Sequence, residues 1–299
     1  MRSFILESAY AYKLSEVQIS TDNINQLIEE ITKEHGTDCP KKLEEKDTQQ
    51  AIIQKYFLGN SINFCFWFSN CHEKYQNNGL SSSEAMWNSL ESIDDLFDME
   101  YLKQMTYSGF YNIFGKMPMS DERMENLKEV GTVLSQYYDG KAINILSECD
   151  YDAKKVMFTI AKRFRTWNDC YGDTLFYKRI QSFLNNIIND KRCTDLIKPS
   201  TTDCMTILAD YHVPKLLHHY NILVYSDELE RKIRNNIFIE SRSKEENDIR
   251  VATIIAGDII LDRIKEIGIN MTVTQLDGIL WRLGRNIKES YHLCKSIWY

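Results

Sequence analysis

The chain has 299 residues, a formal net charge of −7, and 43% hydrophobic and 26% charged residues. That composition excludes a disordered or fibrous chain, and the length suffices for one large domain or two ordinary ones with a buried core that needs no disulfide or metal. Glycine at 12 and proline at 4 are about half of average usage, which argues against a many-stranded sandwich or barrel and for long helices, while the acidic balance counts against a tRNA or DNA partner.

The first residues, MRSFILESAYAYKLSE, place Glu7 where a signal peptide needs an unbroken apolar run. Ile24, Leu27, Ile28 and Ile31 then fall at i, i+3, i+4 and i+7 and predict a helix over 21–36. Thr21 or Asp22 is its expected cap, and Gly36 sits where a terminating glycine belongs. Residues 39–50, with the run KKLEEKD, read as a solvated connection. The aromatic stretch INFCFWFSN at 62–70 is too short for periodicity to separate helix from strand.

Further helices are expected from 81–83 through Met86, Trp87 and Leu90, and over 98–113. The next starts at Ser120, with Leu127, Val130, Leu134 and Tyr137 on one side and Gly140 past its end. Residues 153–164 carry Met157, Ile160, Ala161 and Phe164 on one face. Residues 175–189 carry Phe176, Ile180, Phe183, Leu184 and Ile187 likewise. Pro214 within 204–220 requires a kink or a helix restart. Ser226 caps a short charged helix over 226–235, followed by helices over 245–267 and 274–284 and a tail at 290–299. The expectation is a mainly α chain, a single large helical domain over 1–299, with two lobes around a central pocket as a variant.

Other patterns carry less. None of the eight cysteines forms a CxxC pair, and the five residues between Cys65 and Cys71 match no common zinc spacing. No stretch approaches 18 apolar residues, since Asp258 interrupts 251–261. A reduced, cytoplasmic, non-membrane protein is expected. GxGxxG, GxxxxGK[ST], HExxH and GxSxG are all missing. His218 and His219 are adjacent on a helix and point apart, so they read as ordinary histidines rather than metal ligands.

Several blocks in order resemble the queuosine salvage protein family, the queuosine 5′-phosphate N-glycosylases. They are SINFCFW at 61–67, AMWNSL at 85–90, ERMENLKEVG at 122–131, FYKRIQ at 176–181, ADYHVP at 209–214 and YSDEL at 225–229, together with 241–250 and the tail 292–299. The likeness runs from about Phe4 to Tyr299, and FYK, ADYxVP and YSDEL at these spacings carry most of it. Departures stand at His212 and Arg282, where the family has an arginine and an acidic residue, and at Leu293 and Lys295, where it has arginines. Residues 39–50 lack the family's His- and Pro-containing stretch. These changes bear on substrate detail, including the preferred base and the need for the 5′-phosphate.

The resemblance implies a fold similar to helix-hairpin-helix DNA glycosylases and a hydrolase that releases queuine from queuosine 5′-monophosphate for tRNA-modification salvage. N-glycoside cleavage passes through an oxocarbenium-like state, so the site must stabilise positive charge on the ribose. The leaving 7-deazapurine lacks an N7 to protonate, which shifts the burden to a carboxylate. Asp210 is expected to be that carboxylate: it lies ahead of Pro214, and a helix restarting there would favour its ionised form. A plain helix cap is the alternative role. Lys178, in FYK, is expected to hold the substrate or activate the leaving base; periodicity alone makes it a solvated lysine. Asn63, Phe64, Trp67 and Tyr211 are nominated against the base, Asp277 for its polar groups, and His292 and Lys295 for the phosphate. The partner is a small nucleotide, with no stable nucleic-acid binding, no membrane, and no metal or organic cofactor implied. Two other readings stay open: a non-catalytic queuine- or nucleotide-binding protein, and a nucleic-acid N-glycosylase.

Overall fold

The computed structural model describes residues 3–36, 48–68, 73–91 and 97–299. The chain is mainly α, with 61% of it helical and only two-stranded sheets among the described residues. It divides into two compact units. One draws on segments 1–44, 170–178 and 203–295, the other on 45–169, 179–202 and 296–299.

The first unit is organised on the helix Lys244–Glu266, capped by the Ser243 hydroxyl. From Glu246 to Ala256 every residue is buried, so this helix is covered all round rather than on one stripe. Its polar members must therefore find partners. Asp248 accepts from the Tyr12 hydroxyl at 2.8 Å, from the Ser15 and Glu16 amides at 2.6 Å each, and from Lys244 at 2.8 Å. Burial alone would raise its pKa, but these donors hold the carboxyl below its usual range. Ile249, Ala252, Ala256, Ile260 and Ile264 join Leu27, Ile31, Leu216, Leu217, Leu276 and Leu280 in one core. Gly257 lets Ile207 approach: a Cβ there would lie 2.3 Å from Ile207 Cγ1. Val17–Ile19 pairs antiparallel with Leu223–Tyr225, and Phe238–Ile239 pairs parallel with Leu293–Cys294.

The second unit is organised on the helix Gln49–Ile62, started by the Thr48 side chain. Its Phe57 ring stacks on Trp167 at 4.7 Å and meets Phe164 and Phe183 edge-on at 5.1 and 5.2 Å. The helix Ser120–Tyr137 turns Leu127, Val130 and Leu134 inward.

Several expected boundaries shift. The helix Gln49–Ile62 is buried on several faces, so it lacked the amphipathic period; of the connection expected at 39–50, residues 39–47 lie outside the described residues, as do 69 and 70. The helix expected over 98–113 is two, Met99–Lys103 and Tyr107–Phe114, because the Thr106 hydroxyl caps a restart. The helix expected over 21–36 is Ile24–Glu34, and its N-cap, Asn23, makes no side-chain cap bond, so neither Thr21 nor Asp22 fills that place. Tyr137 is half exposed and Tyr138 is buried instead. The helix expected from 175 begins at Lys178, because Thr174–Leu175 pairs with Cys170–Tyr171 and Tyr177 takes a left-handed φ of 48°. A bulky residue there is a genuine outlier, held by its surroundings. Pro214 sits in the first turn of His212–His219, where its missing N–H costs nothing.

Candidate active site

In the first unit the ADYHVP block runs into a helix start. Asp210 is 8% exposed, and its Oδ1 accepts from the His212 amide at 2.8 Å and the Val213 amide at 3.1 Å. This is the bonding pattern of an N-cap and anchors the carboxylate at the positive end of a helix. Oδ2 makes neither bond. Asp210 thus caps the helix start through Oδ1 alone. Asp277 holds the approach to it: its Oδ1 accepts from the Leu208 amide at 2.7 Å. Gly284 lets the His212 carbonyl approach; a Cβ there would lie 2.4 Å from that oxygen.

His292 is 1% exposed, and the Tyr211 ring lies 5.7 Å from it. Burial pushes the His292 pKa down to about 4, helped by the nearby Arg250 charge and opposed by Asp210. His292 is therefore neutral at pH 7, which does not suit it to be a cation for a phosphate. Arg250, on the buried helix, stacks 3.9 Å from the Phe176 ring. Phe176 is two residues from Lys178, itself 9% exposed.

Lys178 is not a solvated lysine. Lys178, Arg179, Ile180 and Gln181, one full turn of helix, are all buried. The sequence period rightly placed Ile180, Phe183, Leu184 and Ile187 on the inner face, but it did not show that Ile180's neighbours in the first turn are buried as well. Lys295, by contrast, is exposed, with Nζ 5.7 Å from the Phe238 ring.

Asn63, Phe64 and Trp67 belong to the second unit. Phe64 and Trp67 are buried at 1% and 3%, and Asn63 is partly exposed. The Phe64 ring lies 4.3 Å from the Arg123 guanidinium and 5.4 Å from that of Arg179. The structure thus unites Asp210, Tyr211, His292 and the Asp277 support in one unit, and it adds Arg250, which sequence reasoning did not nominate. An arginine between Ile249 and Val251, at the start of the apolar stretch of a long helix, was the available signal. Among the described residues, no group of three His, Cys, Asp or Glu side chains is placed to hold a metal ion. No helix there is long and apolar enough to cross a membrane.

Fold and site together describe a mainly helical protein with a buried, half-committed carboxylate at a helix start. Residues 43–299 match the family model described as queuosine salvage protein, and the chain belongs to that family. It is 27% identical over 271 residues to a queuosine 5′-phosphate N-glycosylase/hydrolase of Dictyostelium discoideum, covering 87% of this chain and 83% of that one. It is 26% identical to proteins of the same name from Sphaerobacter thermophilus, covering 95% and 93%, and from Mus musculus, covering 86% and 85%.

Proposed function

We propose that the chain, acting as one functional body in the cytoplasm, hydrolyses the N-glycosidic bond of queuosine 5′-monophosphate. The products are queuine, available for tRNA modification, and ribose 5-phosphate. Family membership and the names of its relatives supply the substrate class. The observation that carries the mechanism is Asp210, buried, anchored through Oδ1 by two helix amides and left with Oδ2 for the reacting centre.

In this reading the C1′–N9 bond breaks while positive charge grows on the ribose, and the Asp210 carboxylate stabilises that charge. Water adds as hydroxyl to C1′ and gives its other proton to Asp210, N9 of the leaving base takes a proton from Lys178 or solvent, and Asp210 then returns its proton to solvent, so that one water is consumed overall. Lys178, buried at the first turn of its helix, holds the substrate or promotes departure of the base. Tyr211 lies against the base, and Asp277 fixes the segment before Asp210; Asn63, Phe64 and Trp67 are nominated for the base through their family block alone. The neutral His292 orients Asp210, and Lys295 is the cationic candidate for the phosphate.

The test is release of queuine from the monophosphate, followed by chromatography beside queuosine and guanosine monophosphate. Asp210→Asn is run in parallel. Its amide oxygen still accepts the two capping bonds, so the variant should fold and fail to release the base. A folded Asp210→Asn with most of the wild-type rate would overturn the assignment.

A further inference from the structure

Within the first unit, the segment that leads into Lys178 is held from two sides. Thr174–Leu175 pairs with Cys170–Tyr171, and a helix begins at Lys178. Phe176 and Tyr177 stand between, and Tyr177 turns the chain with its left-handed φ of 48°. A bulky residue keeps that conformation only where its surroundings over-determine it. The N-terminal helix Phe4–Ala11 supplies part of those surroundings. Its Ser8 hydroxyl accepts from the Leu175 amide at 3.0 Å, and its Phe4 ring lies 6.4 Å from the Tyr177 ring. The buried helix Lys244–Glu266 supplies another part, with the Arg250 guanidinium 3.9 Å over the Phe176 ring. Residues 175, 176 and 177 are thus each met by a side chain remote in sequence. The supports are also tied to each other. Asp248, two residues before Arg250, takes bonds from Tyr12, Ser15 and Glu16, and the Tyr10 hydroxyl donates to Asp258 at 2.8 Å.

The N-terminal helix, the 175–177 turn and the buried helix therefore form a closed frame, and the residue it delivers is Lys178, itself 9% exposed. A helix that follows a left-handed turn directly takes its direction from that turn, so the frame sets where its first side chain starts. The planar guanidinium suits this task, since it lies flat on an aromatic face as an ammonium does not. Arg250 also acts on His292, which feels the Asp210 charge as well, so the frame reaches the neighbourhood of the carboxylate inside the same unit. We infer that Phe4, Ser8 and Arg250 are positioning residues: they hold residues 175–177 in the strained turn that fixes where the Lys178 amine stands. The N-terminal helix, which lies ahead of the matched residues 43–299, is thereby part of the scaffold of the site. This rests on the proposed N-glycosidase reading, in which Lys178 acts on the substrate, and names what places that lysine.

The test is a double-mutant cycle between Phe176→Leu and Lys178→Ala, measured as kcat/KM for queuosine 5′-monophosphate. Beside it, the rate at which acetic anhydride acetylates Lys178 is followed by mass spectrometry in the wild type and in Phe176→Leu. Phe176→Leu keeps an apolar side chain and removes the flat ring under Arg250. It is expected to lower kcat/KM about tenfold where Lys178 is present, and less than about twofold in the Lys178→Ala background, because the group being positioned is gone. Acetylation of Lys178 should quicken about fivefold in Phe176→Leu as the turn opens, with the other lysines unchanged. If Phe176→Leu does not fold, Ser8→Ala, which removes the bond to the Leu175 amide, replaces it in both measurements with smaller changes of the same sign. Equal losses of kcat/KM in both backgrounds would show a general structural role and overturn the inference. So would an unchanged acetylation rate in the folded variant, or a Lys178→Ala enzyme with wild-type kcat/KM. If the wild type does not turn over the monophosphate, the N-glycosidase reading fails, and the acetylation rates still decide whether the frame places Lys178.

Discussion

Each unit buries charge, and the two do so in opposite ways. In the second, the guanidiniums of Arg123 and Arg179 are spent on backbone carbonyls, with Asp169 and Glu129 as distant counter-charges for Arg179. Burial lowers the Arg179 pKa to about 9, still well above neutrality, so the cation persists. In the first, Asp210 commits one oxygen to a helix start and leaves the other open beside a histidine that burial keeps neutral. A buried charge whose bonding capacity is used up by the backbone fastens structure. One that retains capacity at a fixed position is equipped for chemistry.

Substitutions that separate fastening from chemistry test this contrast. Asp210→Asn has the largest expected effect on rate: kcat should fall by about 10³-fold, on the order of 4 kcal/mol, with little change in unfolding midpoint, because the cap survives. Steady-state kinetics and a urea titration on the same preparation separate the two. Arg123→Met should do the reverse. Orphaning buried carbonyls should cost about 3 kcal/mol in a urea titration, seen as a lower midpoint with an unchanged slope.

His292→Gln sharpens the comparison through pH. The folded-state pKa of His292 lies below its ordinary value of 6.5, so its neutral burial costs nothing above about pH 6.5 and loses stability as pH falls toward 4. Relative to His292→Gln, the wild type should lose on the order of 2 kcal/mol between pH 7 and pH 5. Parallel curves for the two proteins in chemical denaturation would contradict the neutral assignment. The smallest effect belongs to Lys295→Ala. An exposed cation on a phosphate should contribute about 1 kcal/mol, read as a several-fold weaker affinity for the monophosphate with unchanged affinity for queuosine. Equal losses for the two ligands would remove Lys295 from the phosphate role.

Elements with a clean apolar stripe were legible from their residues. Ser226 caps the helix Asp227–Arg234, and Ile160, Ala161, Leu127 and Val130 face inward as their spacing requires. Gln49–Ile62 was missed because a helix covered on several faces has no stripe, and the segment 98–113 was misjudged because one hydroxyl, on Thr106, restarts the chain. Asp210 was visible as an acid just ahead of a helix-starting proline. The partners of Arg250, Arg123 and Arg179 were not, since they are remote in sequence.

By itself, then, the sequence determined a helical chain, the place of its stronger helices and the family blocks that carry Asp210 and Lys178. Periodicity and capping are local properties, set by residues within a few positions of one another. Tertiary structure alone decided that Lys178 is buried, that His292 is neutral, and that Arg123 and Arg179 grip carbonyls 58 to 119 residues away. Burial on all sides and the partners of a buried charge depend on which distant segments meet, and that is settled only when the whole core closes.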